Sequence, residues 1–199
     1  DSGLNTGGMG AVSPVPFADR ALMEKIENRI VIPTIEGLQE EGIPFTGFVF
    51  IGLIKVGEDP YVIEYNVRMG DPETEVVIPR ITSDFAELLA AVARQELGQA
   101  ELEIREEAAA TVMMVSGGYP EKYQKGYPIH GLGAVADAVV FHAGTRLSED
   151  GQVLTDGGRV LSVTAFGSDF REALKKAYEN VSHIGFTDAY YRKDLGFDL

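Results

Sequence analysis

A run of β-type residues ends in a dense polar cluster at Val62-Ile63-Glu64-Tyr65-Asn66-Val67-Arg68-Met69-Gly70-Asp71-Pro72-Glu73-Thr74. A strand that only supports a core has no need of such an end. Side chains two apart on a strand share a face, with Cα atoms about 6.6 Å apart. Glu64 and Asn66 can therefore present oxygen to one spot, and oxygen is what a hard cation such as Mg²⁺ takes, at about 2.0–2.1 Å. Tyr65 faces the other way, into packing. If the strand persists, Arg68 follows on the Glu64 side, where it suits a bidentate carboxylate or phosphate. Gly70 lets the backbone turn, and Pro72 cannot extend a ladder. The same residues also read as a strand ending in a solvated acidic turn, with Arg68 paired to Asp71 or Glu73.

A second motif lies at Asp1-Ser2-Gly3-Leu4-Asn5-Thr6-Gly7-Gly8-Met9-Gly10, where four of ten residues are glycine. Successive N–H groups in such a loop can line a concavity for an anion. No Gly-Lys-Ser/Thr follows, so this is not a Walker loop.

Between and after these motifs the pattern alternates helix and strand. Leu22, Ile26, Ile30, Ile35 and Leu38 predict helix over 19–42, divided at Pro33. The runs 46–56 and 61–66, separated by Gly57-Glu58-Asp59-Pro60, predict an antiparallel hairpin. Residues 84–97 predict a helix with an Asp84/Glu87 capping pattern, closed by Gly98. Residues 99–108 are polar and acidic, a natural seam. Strands are expected at 109–116, 135–142, 151–155 and 159–165. Phe170, Ala173, Leu174, Ala177, Tyr178 and Val181 mark the clearest helix, over 169–184. The fold class is α+β: an antiparallel sheet portion backed by helices, then a smaller antiparallel-sheet domain with helices. The domains are placed at 1–103 and 104–199.

The chain has no cysteine, which excludes disulfides and thiolate chemistry. No apolar run approaches the length of a membrane span, and no leader-like segment is present. A net charge of −14 argues against a nucleic-acid backbone as partner, while leaving room for local phosphate binding. His130 and His142 are too far apart in sequence to argue for a shared metal, and His183 lies near a helix end. Tyr190-Tyr191 reads as packing. The turn Gly157-Gly158-Arg159 reads first as hairpin geometry.

Taken together, Asn5-Thr6-Gly7-Gly8-Met9-Gly10-Ala11 with Ser13-Pro14, and Glu64-Tyr65-Asn66-x-Arg68-x-Gly70-Asp71-Pro72-Glu73-Thr74, resemble the phosphoribosylamine–glycine ligases (glycinamide ribonucleotide synthetases), ATP-grasp enzymes of purine biosynthesis. The runs His142–Thr145, Gly157–Ala165 and Arg192-Lys193-Asp194-Leu195-Gly196 are similar to that family's C-terminal domain. Leu4 stands where the family usually has Pro, Tyr65 and Met69 where it usually has Phe, and Leu195 where it often has Ile. None of these removes a polar group.

The resemblance implies an ATP-dependent carboxylate–amine ligase joining glycine to 5-phosphoribosylamine through a glycyl phosphate. It implies Mg²⁺ or Mn²⁺ held by Glu64 and Asn66. Related enzymes often place a metal carboxylate on the preceding strand, yet residues 46–54 contain no Asp or Glu. It assigns catalysis to Arg68 and Asp71, and substrate binding to Asp1, Asn5, Thr6, Gly7, Gly8 and Met9. Arg192 and Lys193 would face a substrate phosphate, although the pair also reads as a solvated edge. The family is about twice this length, so the chain reads as a C-terminal half, with the missing N-terminal half as its partner and the cytoplasm as its location. The competing expectation is a non-catalytic, ligand- or partner-binding fragment that retains an ATP-grasp remnant.

Overall fold

The structure, a computed structural model, describes residues 3–199. It is a mixed fold of short helices and antiparallel sheets, the predicted class. Its contacts divide it into two compact units that alternate along the chain. One contains the residues through Pro14, Asp71–Thr82 and Ile104–Asp198; the other contains Val15–Gly70, Ser83–Glu103 and Leu199. Residues on either side of Asp71 thus contribute to different units, and 71–82 pack with the residues after 104.

The larger unit is built on a four-stranded antiparallel sheet. Its strands are β1 (Gly10–Ser13), β4 (Ala108–Val115), β5 (Ala138–His142) and β8 (Arg159–Gly167), in the order β1-β4-β8-β5. All eight residues of β4, Ala-Ala-Ala-Thr-Val-Met-Met-Val, are buried, as an unbroken apolar run predicts for a strand covered on both faces. Val112 lies opposite Val163 on one side and Gly10 on the other. Helix α5 (Phe170–Val181) packs on β4 and β8 through a stripe that includes Phe170, Ala173, Leu174, Ala177 and Val181. Its start is fixed by Asp169, whose Oδ1 accepts from the N–H groups of Arg171 and Glu172, both at 2.9 Å. A short helix, α3 (Thr74–Val77), packs on β1, β4 and β8. There Thr164 Oγ1 bonds the Glu75 carbonyl at 3.0 Å and Thr111 Oγ1 at 2.8 Å, so the buried hydroxyls are satisfied. Arg80 joins the end of β1 to the seam, bonding Ser13 Oγ at 2.9 Å, Glu107 O at 3.0 Å and Arg105 O at 2.9 Å. A small hairpin, β6 (Thr145–Leu147) with β7 (Val153–Thr155), completes the unit.

In the smaller unit, α1 (Arg20–Ile26) begins at Asp19, whose Oδ1 accepts from Leu22 N–H at 2.8 Å. The helix then passes through a π turn at Glu27–Val31 into α2 (Ile32–Glu40). Pro33, in the first turn of α2, has no N–H to return to the preceding turn, and the helix widens just before it. Strands β2 (Phe50–Val56) and β3 (Asp59–Asn66) pair antiparallel, with a register shift between Gly52 and Leu53. The strand begins four residues later than the apolar run at 46 suggests, and Asp59 and Pro60 belong to β3 rather than to the turn. Asp59 accepts from Lys25 at 3.0 Å and Arg29 at 2.9 Å, and the Lys25 ammonium is the main reason its carboxyl lies below the usual range. Helix α4 (Phe85–Arg94) is capped by Asp84, which accepts from Ala86 and Glu87 N–H. Its end is not Gly98: Gln95 takes the left-handed conformation, and Gly98 falls in a following 3₁₀ turn.

No helix among the described residues is long and apolar enough to cross a membrane.

Candidate functional site

On β3, Glu64 and Asn66 lie on one face as their spacing requires. The Asn66 amide donates to Glu64 Oε1 at 3.0 Å. No cation pairs with Glu64 among the described residues. Across the hairpin, Glu64 stands opposite Gly52, where a Cβ would come within 3.0 Å of Glu64 Cγ. The missing side chain leaves room for the carboxylate arm to lie over the backbone. Two oxygen-bearing side chains, close together and with no basic counter-ion, suit a hard divalent cation. Among the described residues no group of three or more His, Asp or Glu gathers for a metal, at Glu64 or elsewhere. His142 instead shares a hydrogen bond with Thr145 Oγ1 at 2.9 Å.

The strand ends at Asn66, so Arg68 does not extend the Glu64 face; its Nη1 bonds the neighbouring Met69 carbonyl at 3.0 Å. Tyr65 is half exposed rather than packed away, and its hydroxyl meets Thr34 Oγ1 at 3.0 Å. Two apolar grooves of about 620 and 830 Å³ flank α2 and the hairpin, lined by residues such as Leu38, Ile43, Phe45 and Val49. None of the expected site residues lines either one.

In the larger unit, the glycine-rich loop before β1 is held at Gly7. Its N–H donates to Tyr119 Oη at 2.9 Å, and its carbonyl accepts from Arg159 Nη1 at 2.7 Å. The same guanidinium bonds the Asp71 carbonyl at 2.8 Å and Asp71 Oδ2 at 2.9 Å. Gly8 has φ +105°, and a Cβ there would stand 2.5 Å from Pro72 Cδ. Met9 is buried against Met113 and Val115. Asn5 and Thr6 carry side chains with no hydrogen bond among the described residues. Asp1 lies outside the described residues. Glu75, close to Asp71 and Arg159, has a buried Oε2 without a partner, and burial pushes its carboxyl up. Arg192 forks onto Asp194, Nε to Oδ1 at 2.9 Å and Nη2 to Oδ2 at 2.8 Å, while Lys193 makes no ion pair among the described residues.

Arg159 and Tyr119 were not assigned to the site from sequence. Each follows a pair of glycines, Gly157-Gly158 and Gly117-Gly118, which read as turns. The signal available was a cation or a hydroxyl placed directly after such a turn.

Two family descriptions match the chain in tandem. The ATP-grasp (A) domain of phosphoribosylglycinamide synthetase covers residues 1–74, and the C domain of the same enzyme covers 109–198. The chain belongs to the phosphoribosylglycinamide synthetase family. It is 46% identical over 201 residues to the phosphoribosylamine–glycine ligase of Escherichia coli K12, covering 99% of this chain and 47% of that protein. It is 44% identical over 198 residues to a bifunctional purine biosynthetic protein of Pichia angusta, covering 98% of this chain and 25% of that one. The crystal structure of phosphoribosylamine–glycine ligase from Thermotoga maritima superposes with a TM-score of 0.85 at 36% identity, over 98% of this chain and 48% of that one. The chain thus spans about half the length of the single-function relatives it matches. Within the family frame, Gly7, Glu64, Asn66, Arg68 and Asp71 fall in the ATP-grasp match, while Tyr119, Arg159 and Arg192 fall in the C-domain match.

Proposed function

We propose that these residues serve the reaction named by their relatives: ATP-dependent joining of glycine to 5-phosphoribosylamine, in the cytoplasm, as a step of purine biosynthesis. The observation that carries this reading is the tandem match to both domains of one enzyme by a chain that keeps the polar residues of both motifs. We read the module boundary in the acidic seam, near 103/104, between the two matches.

A glycine carboxylate oxygen takes the γ-phosphoryl group of ATP, releasing ADP and leaving an acyl phosphate. The amine of phosphoribosylamine then attacks the acyl carbon, an amide forms, and phosphate leaves with its oxygen. No side-chain nucleophile is needed, because glycine is itself the activated group. Glu64 and Asn66 would hold Mg²⁺ or Mn²⁺, which when bound neutralises charge on the phosphates. Arg68 supplies a planar cation for a carboxylate or phosphoryl oxygen. Asp71 is placed by Arg159 beside the loop and serves the amine end of the reaction. The loop at residues 5–9 binds substrate with the Asn5 and Thr6 side chains and with backbone N–H groups other than that of Gly7, which Tyr119 holds. Arg192 and Lys193 bind the ribose phosphate, with Arg192 exchanging Asp194 for it.

The remaining length of the relatives would supply the rest of the nucleotide site. The exposed apolar residues Val62 and Ile63 of β3, and Val67 just after it, suit cover by further chain. A steady-state assay of the protein expressed from its whole gene, with ATP, glycine and freshly prepared phosphoribosylamine, tests the reading. ADP release that depends on both co-substrates supports it. ADP release without either, or no release, rejects it in favour of a ligand-binding role.

A further inference from the structure

We propose that Arg159 and Tyr119 are positioning residues that clamp the Gly7 peptide and tie it to Asp71. On this view the glycine-rich loop is set before its ligand arrives rather than ordered by it. What the loop binds rests on the ligase reading above; the clamp rests on geometry.

Gly7 is exposed, yet both of its backbone polar groups are taken by side chains far along the sequence. One partner is 112 positions away and the other 152. Water could satisfy an exposed peptide equally well, so these bonds are not there to rescue a buried group. They fix a segment that is otherwise among the least constrained a chain can have. Tyr119 is itself anchored. Its ring packs with the buried Met9, Met113 and Val115 cluster, and it lies so close over Gly158 that a Cβ there would come within 2.4 Å of Cδ2. Arg159 is the first residue of β8, so its backbone is fixed in the sheet, and its side chain is only 22% exposed. A guanidinium can reach Gly7 O, Asp71 O and Asp71 Oδ2 together because its donors diverge in a plane; an ammonium cannot reproduce that fork. The clamp therefore joins residues of the C-domain match to two separate segments of the ATP-grasp match. A ligand meeting a loop already held in place forgoes the entropy cost of ordering it.

The test uses two conservative variants in the protein expressed from its whole gene. Tyr119→Phe keeps the ring and removes the acceptor; Arg159→Lys keeps the charge and removes the fork. Hydrogen exchange in the ligand-free protein is followed on a peptide spanning residues 4–9, with β4 and α5 as internal references. The expected result is exchange in the loop at least about fivefold faster in each variant, with the references unchanged. In the ligase assay, KM for glycine or phosphoribosylamine rises about tenfold in each variant, while kcat at saturation stays within about twofold in Tyr119→Phe and falls in Arg159→Lys, which also frees Asp71. Should Tyr119→Phe disturb the references, Arg159→Lys alone decides. Unchanged loop exchange overturns the clamp. Faster exchange with both KM and kcat unchanged overturns its role in preparing the loop. If the parent protein shows no ligase turnover, the ligase reading has failed, and exchange alone then supports or overturns the clamp.

Discussion

Gly52 stands directly across the β2–β3 pair from Glu64, and no side chain could be added there without pressing within 3.0 Å of the Glu64 Cγ. The bare backbone at 52 thus sets where the proposed metal carboxylate rests. Gly52→Ala should displace it without removing it. We expect the Mg²⁺ concentration for half-maximal rate to rise several-fold, with most of kcat recovered at saturation. Glu64→Ala should cost about 3 kcal/mol of transition-state stabilisation, roughly a hundredfold in rate. Asn66→Ala should cost less, since water can replace a neutral ligand. Near-parental turnover of Glu64→Ala at limiting Mg²⁺ would remove the metal assignment.

Two adjacent glycines should respond differently to alanine. Gly8 has a backbone conformation that side chains rarely adopt and faces Pro72, so Gly8→Ala should destabilise the protein by about 1–3 kcal/mol. At Gly7, where φ is not in the left-handed region, a Cβ would stand 3.2 Å from Tyr119 Oη and 3.3 Å from Arg159 Cζ, so the clamp need shift by only a few tenths of an ångström. Gly7→Ala should melt near the parent while raising a substrate KM. Thermal unfolding of both variants, with KM for each substrate, checks the contrast.

The sequence made the hairpin, α4 and α5 legible because their information is local. Asp84 caps α4 as expected, whereas Asp169, read as the first residue of the last helix, is its cap. The same-face pairing of Glu64 and Asn66 followed from a period of two, although the strand ended too early to include Arg68. Strand β1 was hidden inside a glycine-rich loop, because what makes Gly10–Ser13 a strand is β4, about a hundred residues later. Helix α3, after Pro72, is a single turn and carries no periodic signal. The roles of Arg159, Tyr119 and Gly52 were not legible for the same reason: each is defined by a partner across a turn or across most of the chain. The need for glycine at position 8 was visible, but its nearest cause is Pro72.

Glu172 should make α5 acid-sensitive. The Ser168 backbone N–H, then the Ser168 hydroxyl and Lys176, draw its carboxyl from 4.5 down to about 2. A folded-state value below the unfolded one stabilises the fold above about 4.5, and that stabilisation is lost as pH falls toward 2. Glu172→Gln should therefore lower Tm at neutral pH, with the difference from the parent closing through this window. A pH-independent difference would place the effect elsewhere.

Glu75 should show the opposite sign. Burial raises its carboxyl pKa, so the folded state is favoured as pH falls through that raised value and is penalised above it. Glu75→Gln should raise Tm most at alkaline pH, and the gain should shrink on acidification. Melting curves at several pH values between 4.5 and 8.5 would read the slope.

A polypeptide limited to these 199 residues should show no ligase turnover and at best millimolar nucleotide affinity. It spans about half the length of its relatives, and positioning of the reacting groups can account for about 7–11 kcal/mol of a barrier. Turnover near 1 s⁻¹, a rate of the order found in intact enzymes, from material of confirmed mass would require the whole nucleotide site to lie within this sequence.

The alternation of the two units along the chain also sets a schedule for synthesis. Strands β2 and β3 can close on each other almost as soon as they leave the ribosome, being joined by a two-residue turn. Gly7 must wait for Arg159, 152 positions later, which at about 5–20 residues per second is an interval of roughly 8–30 s. Until β4 emerges, about a hundred residues on, β1 has no ladder and Met9 no core, and the loop stays unclamped until Arg159 follows, so the segment that becomes the loop is born as an unprotected stretch of chain. A pause in translation before β8 would prolong its exposure to chaperones and proteases, while leaving the hairpin that carries Glu64 already closed.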